Sequence, residues 1–399
     1  MSFEKKVMRI RNSIEFTHGL RRALVSALGL IYFISLGFNV IAVTTLFAIS
    51  TLMIVIFEFP TSAIADYDSR KKAAMISQFL FFIAFLGVFL FTNFWILSAF
   101  WLLHDIAWAF GSGTIGPWAI DSLNIAKKKS KLVRLISQGY IYEKSGWLIG
   151  GIIGFLIVSQ NFRAIWLAIS MVYLGIFLIT GKYMIEKNFS PEKIPASYIR
   201  KSIIKLKESF TYIFHQDNRN LRALLIGGYA STFSISSLFV ALPLFFVAVF
   251  GFGPEVIPGI YAISATFALI GPIMAQKLAV KKGFRNSLFL LFVILGLVII
   301  GLTLIASIVV SIILLSILKI LLAMTDVVED SALHHEFSSK IRASLSSING
   351  VGWALANSLA IFLTGISINF LGIANTMFIS GGFSFVAAVV YSVGLRGLD

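Results

Sequence analysis

Titratable side chains stand inside several of the long apolar stretches of this sequence. An ionisable group in the hydrocarbon of a membrane costs at least about 2.5–3.5 kcal/mol on insertion scales. A chain that retains such a group therefore uses it for function or pairs it with an opposite charge. Carboxylates and histidine at that depth can carry protons or meet a substrate. The candidates for a proton or substrate site are Glu58, His104, Asp105, Glu143, Lys319 and Asp326, with Lys144 beside Glu143.

Two of these carboxylates have informative neighbours. Glu58 precedes Pro60, which frees a backbone carbonyl and can kink a helix. Glu58 is then either a proton site or a hydrogen-bond cap for that defect. Glu143 and Lys144 are adjacent, so they point to different faces of a helix. We expect Glu143 to face a cavity and Lys144 to pair elsewhere.

The elements that must position these residues are membrane helices. Of the 399 residues, 58% are hydrophobic and only 13% are charged, whereas a soluble domain has about 25% charged residues. Because one bilayer crossing takes about 20 apolar residues, the apolar stretches predict twelve helices. Their ranges are 18–38, 41–65, 73–91, 94–122, 132–158, 163–183, 221–250, 255–279, 286–306, 308–330, 341–366 and 370–395. The break between the ninth and tenth is the least marked, and we place it near Ala306–Ser307.

The distribution of positive charge predicts the orientation. With both termini cytoplasmic, all but three of the 33 Lys and Arg residues fall on the inner side, if Arg21 and Arg22 are counted before the first span. The others are Arg163 in an outer loop and Lys144 and Lys319 within spans. This is the positive-inside rule. The net charge of +15 then faces anionic lipids of the inner leaflet, and nucleic-acid binding is not favoured.

The longest polar stretch divides the chain into two halves. It predicts a six-helix bundle over 1–183, a cytoplasmic linker over 184–220 and a second six-helix bundle over 221–399. Within the linker, apolar residues recur at helical spacing from Ile199 to Ile213, which is typical of an amphipathic helix on the membrane surface or of a solvated linker helix. The predicted fold class is an all-α polytopic membrane protein with two pseudo-symmetric bundles.

The end of the second span carries a recognisable loop. The sequence Glu58-Phe-Pro-Thr is followed by Asp66, Arg70 and Lys71. This spacing resembles the signature loop between helices 2 and 3 of the major facilitator superfamily, although Ser62 and Ser69 replace its two glycines. The resemblance implies transport by alternating access. It also implies that Asp66, Arg70, Lys71 and Asp121 form a gating latch; the alternative is that Arg70 and Lys71 only anchor the loop.

The resemblance also suggests where the mid-span charges lie. In that fold, helices 1, 4, 7 and 10 line the central cavity, which implies that Asp105 and Lys319 face each other across it. Two interpretations of Asp105 remain. Proton and substrate compete for its carboxylate, with His104 as a further proton carrier, or Asp105 is a permanently paired structural charge. Asp326 follows Lys319 by seven residues on the same helix face, near the inner end.

Together these features favour a secondary active transporter of a prokaryotic cytoplasmic membrane. Abundant aromatic residues and few charges favour an amphipathic or lipophilic substrate, and no arginine pair is expected in the cavity. The leading mechanism is proton-coupled efflux of small organic or lipophilic compounds. The alternative is a facilitator or importer of a small metabolite. An enzyme, pump or metal protein is disfavoured, because the sequence has no cysteine, no metal-binding cluster and no nucleotide-binding loop. No cofactor is expected; the partners are substrate, protons and lipids, and a monomer suffices.

The fifth predicted span carries glycines at a spacing of four. Gly146, Gly150 and Gly154 form a face without side chains. Such a face allows another helix to approach closely. We expect helix packing to be the role of this face, in preference to a role in coupling.

Overall fold

A computed structural model describes residues 3–124, 129–187, 193, 204, 207, 211–214, 218–305, 307–336 and 342–396. In these ranges every regular element is a helix. The helices are α1 Phe3–Ser35, α2 Val40–Ala63, α3 Arg70–Leu90, α4 Phe94–Gly111, α5 Ile115–Leu123, α6 Lys129–Val158, α7 Ala164–Tyr183, α8 Arg219–Phe250, α9 Val256–Phe267, α10 Gly271–Leu304, α11 Ile308–Glu336, α12 Arg342–Leu371 and α13 Ile373–Gly394.

Helices are the expected solution for such apolar segments, because a helix satisfies its own backbone groups where no water is available. Within the described ranges, ten helical stretches are long and apolar enough to cross a membrane. One of them runs over Val256–Leu304 and is interrupted at Gly283, whose φ of 70° is not helical. The charged helix α1 is not among the ten. The prediction of twelve spans stays a prediction.

Several boundaries follow the sequence. The predicted break near Ala306–Ser307 is confirmed, since α10 ends at Leu304 and α11 begins at Ile308. The predicted span 94–122 is divided instead, because Ser112 leaves the helix and α5 begins only at Ile115. The predicted amphipathic linker helix lies largely outside the described residues.

Contacts within the chain define two compact units. The first comprises Met1–Phe38, Ile49–Arg200 and Pro254–Ala262. Its principal packing pairs are α1 with α6, and α3 with both α4 and α7. The glycine face of α6 lies against α1, as predicted: a Cβ on Gly146 would overlap the carbonyl oxygen of Phe16, and one on Gly150 would lie 3.0 Å from that of Leu20. This close approach fixes the register in which α1 and α6 present their charges.

The second unit comprises Asn39–Ala48, Lys201–Gly253 and Ile263–Asp399. In it α8 packs on α12 and α13, and α10 packs on α11 and α13. Buried hydroxyls tie these helices together, because Ser234 bonds Ser384 at 2.6 Å and Thr364 donates to Ser237 at 2.7 Å. Such side-chain bonds are a common link between helices where water is absent.

Candidate functional site

Two arginines lie deep within α1. The helix ends at Ser35, beside the turn at Gly37 that leads into α2. At about 1.5 Å per residue, Arg22 lies about 20 Å along the helix from that end. The charge count placed Arg21 and Arg22 before the first span. The helix instead runs from Phe3 through both arginines to Ser35, so the pair stands inside the helix and far from its end.

Arg21 begins a buried chain of polar side chains that joins three helices of the first unit. Its Nη1 donates to His104 Nε2 on α4 at 2.7 Å. Since that nitrogen accepts, a neutral His104 carries its proton on Nδ1, which lies 2.9 Å from Asp105 Oδ1. The hydroxyl of Ser50 on α2 donates to Asp105 Oδ2. We call Arg21, His104, Asp105 and Ser50 the buried polar chain.

Aromatic rings surround this chain. The His104 ring lies 5.3–5.5 Å from the rings of Phe81, Phe85 and Trp101. The Arg21 guanidinium carbon lies 4.9 Å from the ring centres of Phe81 and Trp108. A surrounding of this kind lowers the local dielectric constant, which strengthens each polar interaction inside it. Asp105 accepts a hydrogen bond from Ser50 within its own unit and lies 2.9 Å from the His104 imidazole.

An ion pair between α1 and α6 lies beside the buried polar chain. Arg22 Nη1 contacts Glu143 Oε1 of α6 at 2.7 Å. Lys144, which we expected to pair elsewhere, lies 3.9 Å from the same oxygen. The expected cavity-facing residue Glu143 is nearly buried on the face toward α1, and Arg22 is the more exposed partner.

The remaining mid-span candidates are dispersed. Glu58 is exposed on α2, and its carboxylate has no hydrogen-bond or ion-pair partner among the described residues. Thr61 supplies the hydrogen bonds to the backbone near Pro60: its hydroxyl donates to Phe57 O at 2.7 Å and to Ala109 O at 3.0 Å. The structure thus gives Glu58 no capping role there.

In the second unit Lys319 is buried, with its ammonium nitrogen 5.1 Å from the ring centre of Phe239. Asp326 is exposed on α11. Glu329 was missed by the sequence analysis, although the Tyr391 hydroxyl donates to its carboxylate. The predicted tenth span, 308–330, ends beside it, whereas α11 continues to Glu336.

The predicted latch is formed in part. Arg70 Nη1 contacts Asp121 Oδ2 at 2.5 Å, so these two residues come together as expected. Lys71 Nζ donates to Gly181 O at 2.7 Å and thus holds the end of α7. Asp66 lies exposed on a π-helical turn, Ile64–Asp68, and makes no ion pair with the described residues.

Glu186 is a further member of this region that sequence reasoning missed. Its carboxylate accepts from the Ser69 hydroxyl at 2.6 Å and from Arg70 N at 2.8 Å. It therefore lies at the N-terminus of α3, where the helix dipole favours a negative charge. Ser69 also accepts from Lys72 N as the N-cap. The serine that replaces a signature glycine thus ties the start of the linker to the latch.

Comparison with known proteins agrees with this architecture. Residues 14–328 match the Major Facilitator Superfamily. The chain belongs to this superfamily. Its fold is that of a transporter, not of an enzyme. Among curated protein sequences there is no match.

Solved structures share the fold at low sequence identity. The nucleoside transporter NupG (D323A mutant) is 14% identical with a TM-score of 0.76, over 98% of this chain and 100% of that one. A D-xylose–proton symporter is 14% identical with a TM-score of 0.75, over 100% and 99% of the two chains. A bacterial homologue of the human lysosomal transporter Spinster, in an inward-facing and unoccupied conformation, is 14% identical with a TM-score of 0.78, over 99% and 97%.

Proposed function

We propose that this superfamily member is a proton-coupled secondary transporter that exports small organic or lipophilic compounds by alternating access. The observation that carries the proposal is the buried polar chain. It places a carboxylate and a histidine in an aromatic surrounding between three helices. Membrane-embedded groups of this type are the usual proton carriers of transporters. The expected setting is a prokaryotic cytoplasmic membrane with both termini inside, and a monomer suffices.

Asp105 is the group we assign to the proton. Its carboxylate contacts a hydroxyl of α2 and the imidazole of the neighbouring His104, which in turn meets Arg21 of α1. Protonation of Asp105 would remove the negative charge of the buried polar chain and weaken the link among α1, α2 and α4. A change in protonation is thereby converted into a change in helix packing, which is what coupling requires.

Import of a small metabolite is the second candidate. The observation that favours it is Arg22, whose side chain is 40% exposed and suits a metabolite with an anionic group better than an uncharged lipophile. This observation bears on the solute and not on the direction of its transport. The solved D-xylose symporter and nucleoside transporter of this fold make solute uptake a reasonable comparison.

Proteoliposomes test the proposal. The purified chain would be reconstituted with a pH dye inside the vesicles, and a panel of neutral, cationic and anionic compounds would be added. We expect compound-dependent proton movement in the direction opposite to the compound, with saturable counterflow. Proton movement with the compound would support import. Transport that ignores an imposed pH gradient would contradict proton coupling, and flux without counterflow would indicate a channel.

The latch gives a separate prediction. We propose that the Arg70–Asp121 pair stabilises one end state of the cycle. Arg70→Ala removes a charge-assisted bond of about 1.5–3 kcal/mol, so we expect the transport rate to fall roughly tenfold. The matched control is Lys72→Ala, whose pair with Asp68 is an exposed i,i+4 contact worth about 0.3–0.5 kcal/mol. Full activity of Arg70→Ala would contradict gating and leave the anchoring role.

Glu186 gives a related prediction. Glu186→Gln keeps the side chain's shape and removes the negative charge that lies at the N-terminus of α3. We expect a smaller loss than with Arg70→Ala, about two- to fivefold in rate, since a charge near a helix end contributes about 0.3–1 kcal/mol. Because the chain contains no cysteine, single-cysteine labelling at Ser62 can report loosening of the loop directly. Unchanged labelling and rate would exclude a role of Glu186 in the latch.

A further inference from the structure

The charges around Glu143 are not balanced. Its Oε1 lies 2.7 Å from Arg22 Nη1 and 3.9 Å from Lys144 Nζ. One carboxylate therefore serves two cations. Glu15 is the other nearby carboxylate: its Oε1 lies 3.6 Å from Arg11 Nη2, and it also interacts electrostatically with Arg22 and Glu143. Arg11, Arg22 and Lys144 thus share two carboxylates, which leaves an excess of one positive charge. Arg21 meets Asp105 through His104.

The two cations are also accessible. The side chain of Arg22 is 40% exposed and that of Lys144 is 37% exposed, whereas Glu143 is 12% exposed. Arg22 continues a partly exposed stripe on α1 that includes Glu15, His18 and Ser26. A stripe this polar is too costly to face hydrocarbon. Facing an aqueous space instead of lipid avoids this cost.

Aromatic surface lies next to both cations. The Arg22 guanidinium carbon lies 4.9 Å from the ring centre of Trp108. The Lys144 nitrogen lies 5.7 Å from that of Trp147. A solute bound to either cation can thus place an apolar body against an indole ring. Concave sites that combine apolar walls with a few placed charges are typical of small-molecule binding.

We propose that Arg22 binds the anionic group of the transported compound in exchange for Glu143, which then pairs with Lys144. The compound would be a small organic acid with an apolar or aromatic body. Its arrival supplies the missing negative charge, so that two anions meet two cations. Charge pairs in a poorly solvated site are favourable only when they are matched in this way. Arginine suits the role, because its planar guanidinium donates two parallel hydrogen bonds to a carboxylate.

This inference rests on the proposed transport function and adds the substrate class. It has a consequence for the cycle. The loaded site is neutral, while the empty one retains one excess positive charge. Net movement of the anion therefore carries charge, and a membrane potential that is negative inside favours its export.

Calorimetric titration of the purified full chain in detergent at pH 7.5 tests the site. The probes are benzoate, 1-naphthoate and octanoate, each compared with its uncharged amide. We expect at least one of the acids to bind, and the affinity of its amide to be lower by roughly tenfold or more. Arg22→Gln should weaken binding of the acid roughly tenfold or more, and Arg22→Lys should restore part of it. Glu143→Gln, which removes the competing carboxylate, should tighten binding roughly tenfold.

The matched control is Arg9→Gln, an exposed arginine on the same helix, which should bind as the parent chain does. Size-exclusion profiles establish that each variant is folded. If Arg22→Gln does not fold, Glu143→Gln still tests the proposal. Equal affinity for acids and amides, or weaker binding in Glu143→Gln, would overturn the exchange and leave the pair as a brace between α1 and α6. Anion binding without gradient-driven transport would refute the transport function alone. Proton-driven transport of neutral compounds without anion binding would refute this inference alone.

Discussion

Asp105→Asn is expected to abolish proton-driven transport while leaving counterflow exchange measurable. The amide keeps the size of the side chain, and its oxygen can still accept from the Ser50 hydroxyl, but it cannot bind or release a proton. We expect gradient-driven accumulation to fall about 100-fold, the lower end of the range for losing a positioned acid–base group. Substrate exchange that needs no net proton movement should fall by only a few-fold.

The measurement is accumulation of a labelled substrate in proteoliposomes with and without an imposed pH gradient. Asp68→Asn is the matched control, because Asp68 pairs with Lys72 in an exposed contact near the latch. His104→Asn should give an intermediate loss if the imidazole passes the proton on. Accumulation by Asp105→Asn at the level of the parent chain would show that Asp105 is a permanently paired structural charge. Glu58, which has no described partner, would then be the next residue to test.

The sequence predicted those features that depend on local composition. The break before Ile308 and the glycine face of α6 follow from hydropathy and residue size over a few turns. The Arg70–Asp121 contact was reached through the resemblance of a short motif, and the structure brings the two side chains together. In each of these cases the signal lies within a single segment or a recognised loop.

The features that sequence reasoning missed depend on contacts between distant segments. The predicted first span, 18–38, contains Arg21 and Arg22, but the charge count treated them as inner anchors because they stand near its start. Their depth is set by the end of α1 at Ser35, and their partners His104 and Glu143 are supplied by other helices.

Glu186 and Glu329 show the same limit. Glu186 follows α7 along the chain but bonds the start of α3, more than a hundred residues earlier. Glu329 meets Tyr391, which belongs to the last helix. Neither pairing can be predicted from the spacing of nearby residues in the sequence, since the packing of whole helices decides which side chains meet. The positions of single charges in a membrane bundle therefore follow from its packing, and α1 against α6 is the packing that matters most for the site.

Gly146→Ala tests that packing with a single methyl group. The added Cβ would overlap the backbone carbonyl of Phe16 on α1, and a backbone oxygen cannot move aside as a flexible side chain can. We expect the two helices to separate, with a loss of about 1–3 kcal/mol of stability from overpacking. Since the same contact sets the 2.7 Å distance between Arg22 and Glu143, transport should fall along with the apparent melting temperature.

Gly175→Ala is the matched control, because a Cβ at that position of α7 meets nothing within 4 Å. Alanine is a better helix former than glycine by about 1 kcal/mol, so this variant should melt at the same temperature as the parent chain or higher. The same propensity gain applies at Gly146, so a lower melting temperature there isolates the steric effect. If Gly146→Ala were as stable and as active as Gly175→Ala, the interface between α1 and α6 would accommodate an added methyl group. The close approach of the two helices would then not be what holds Arg22 against Glu143.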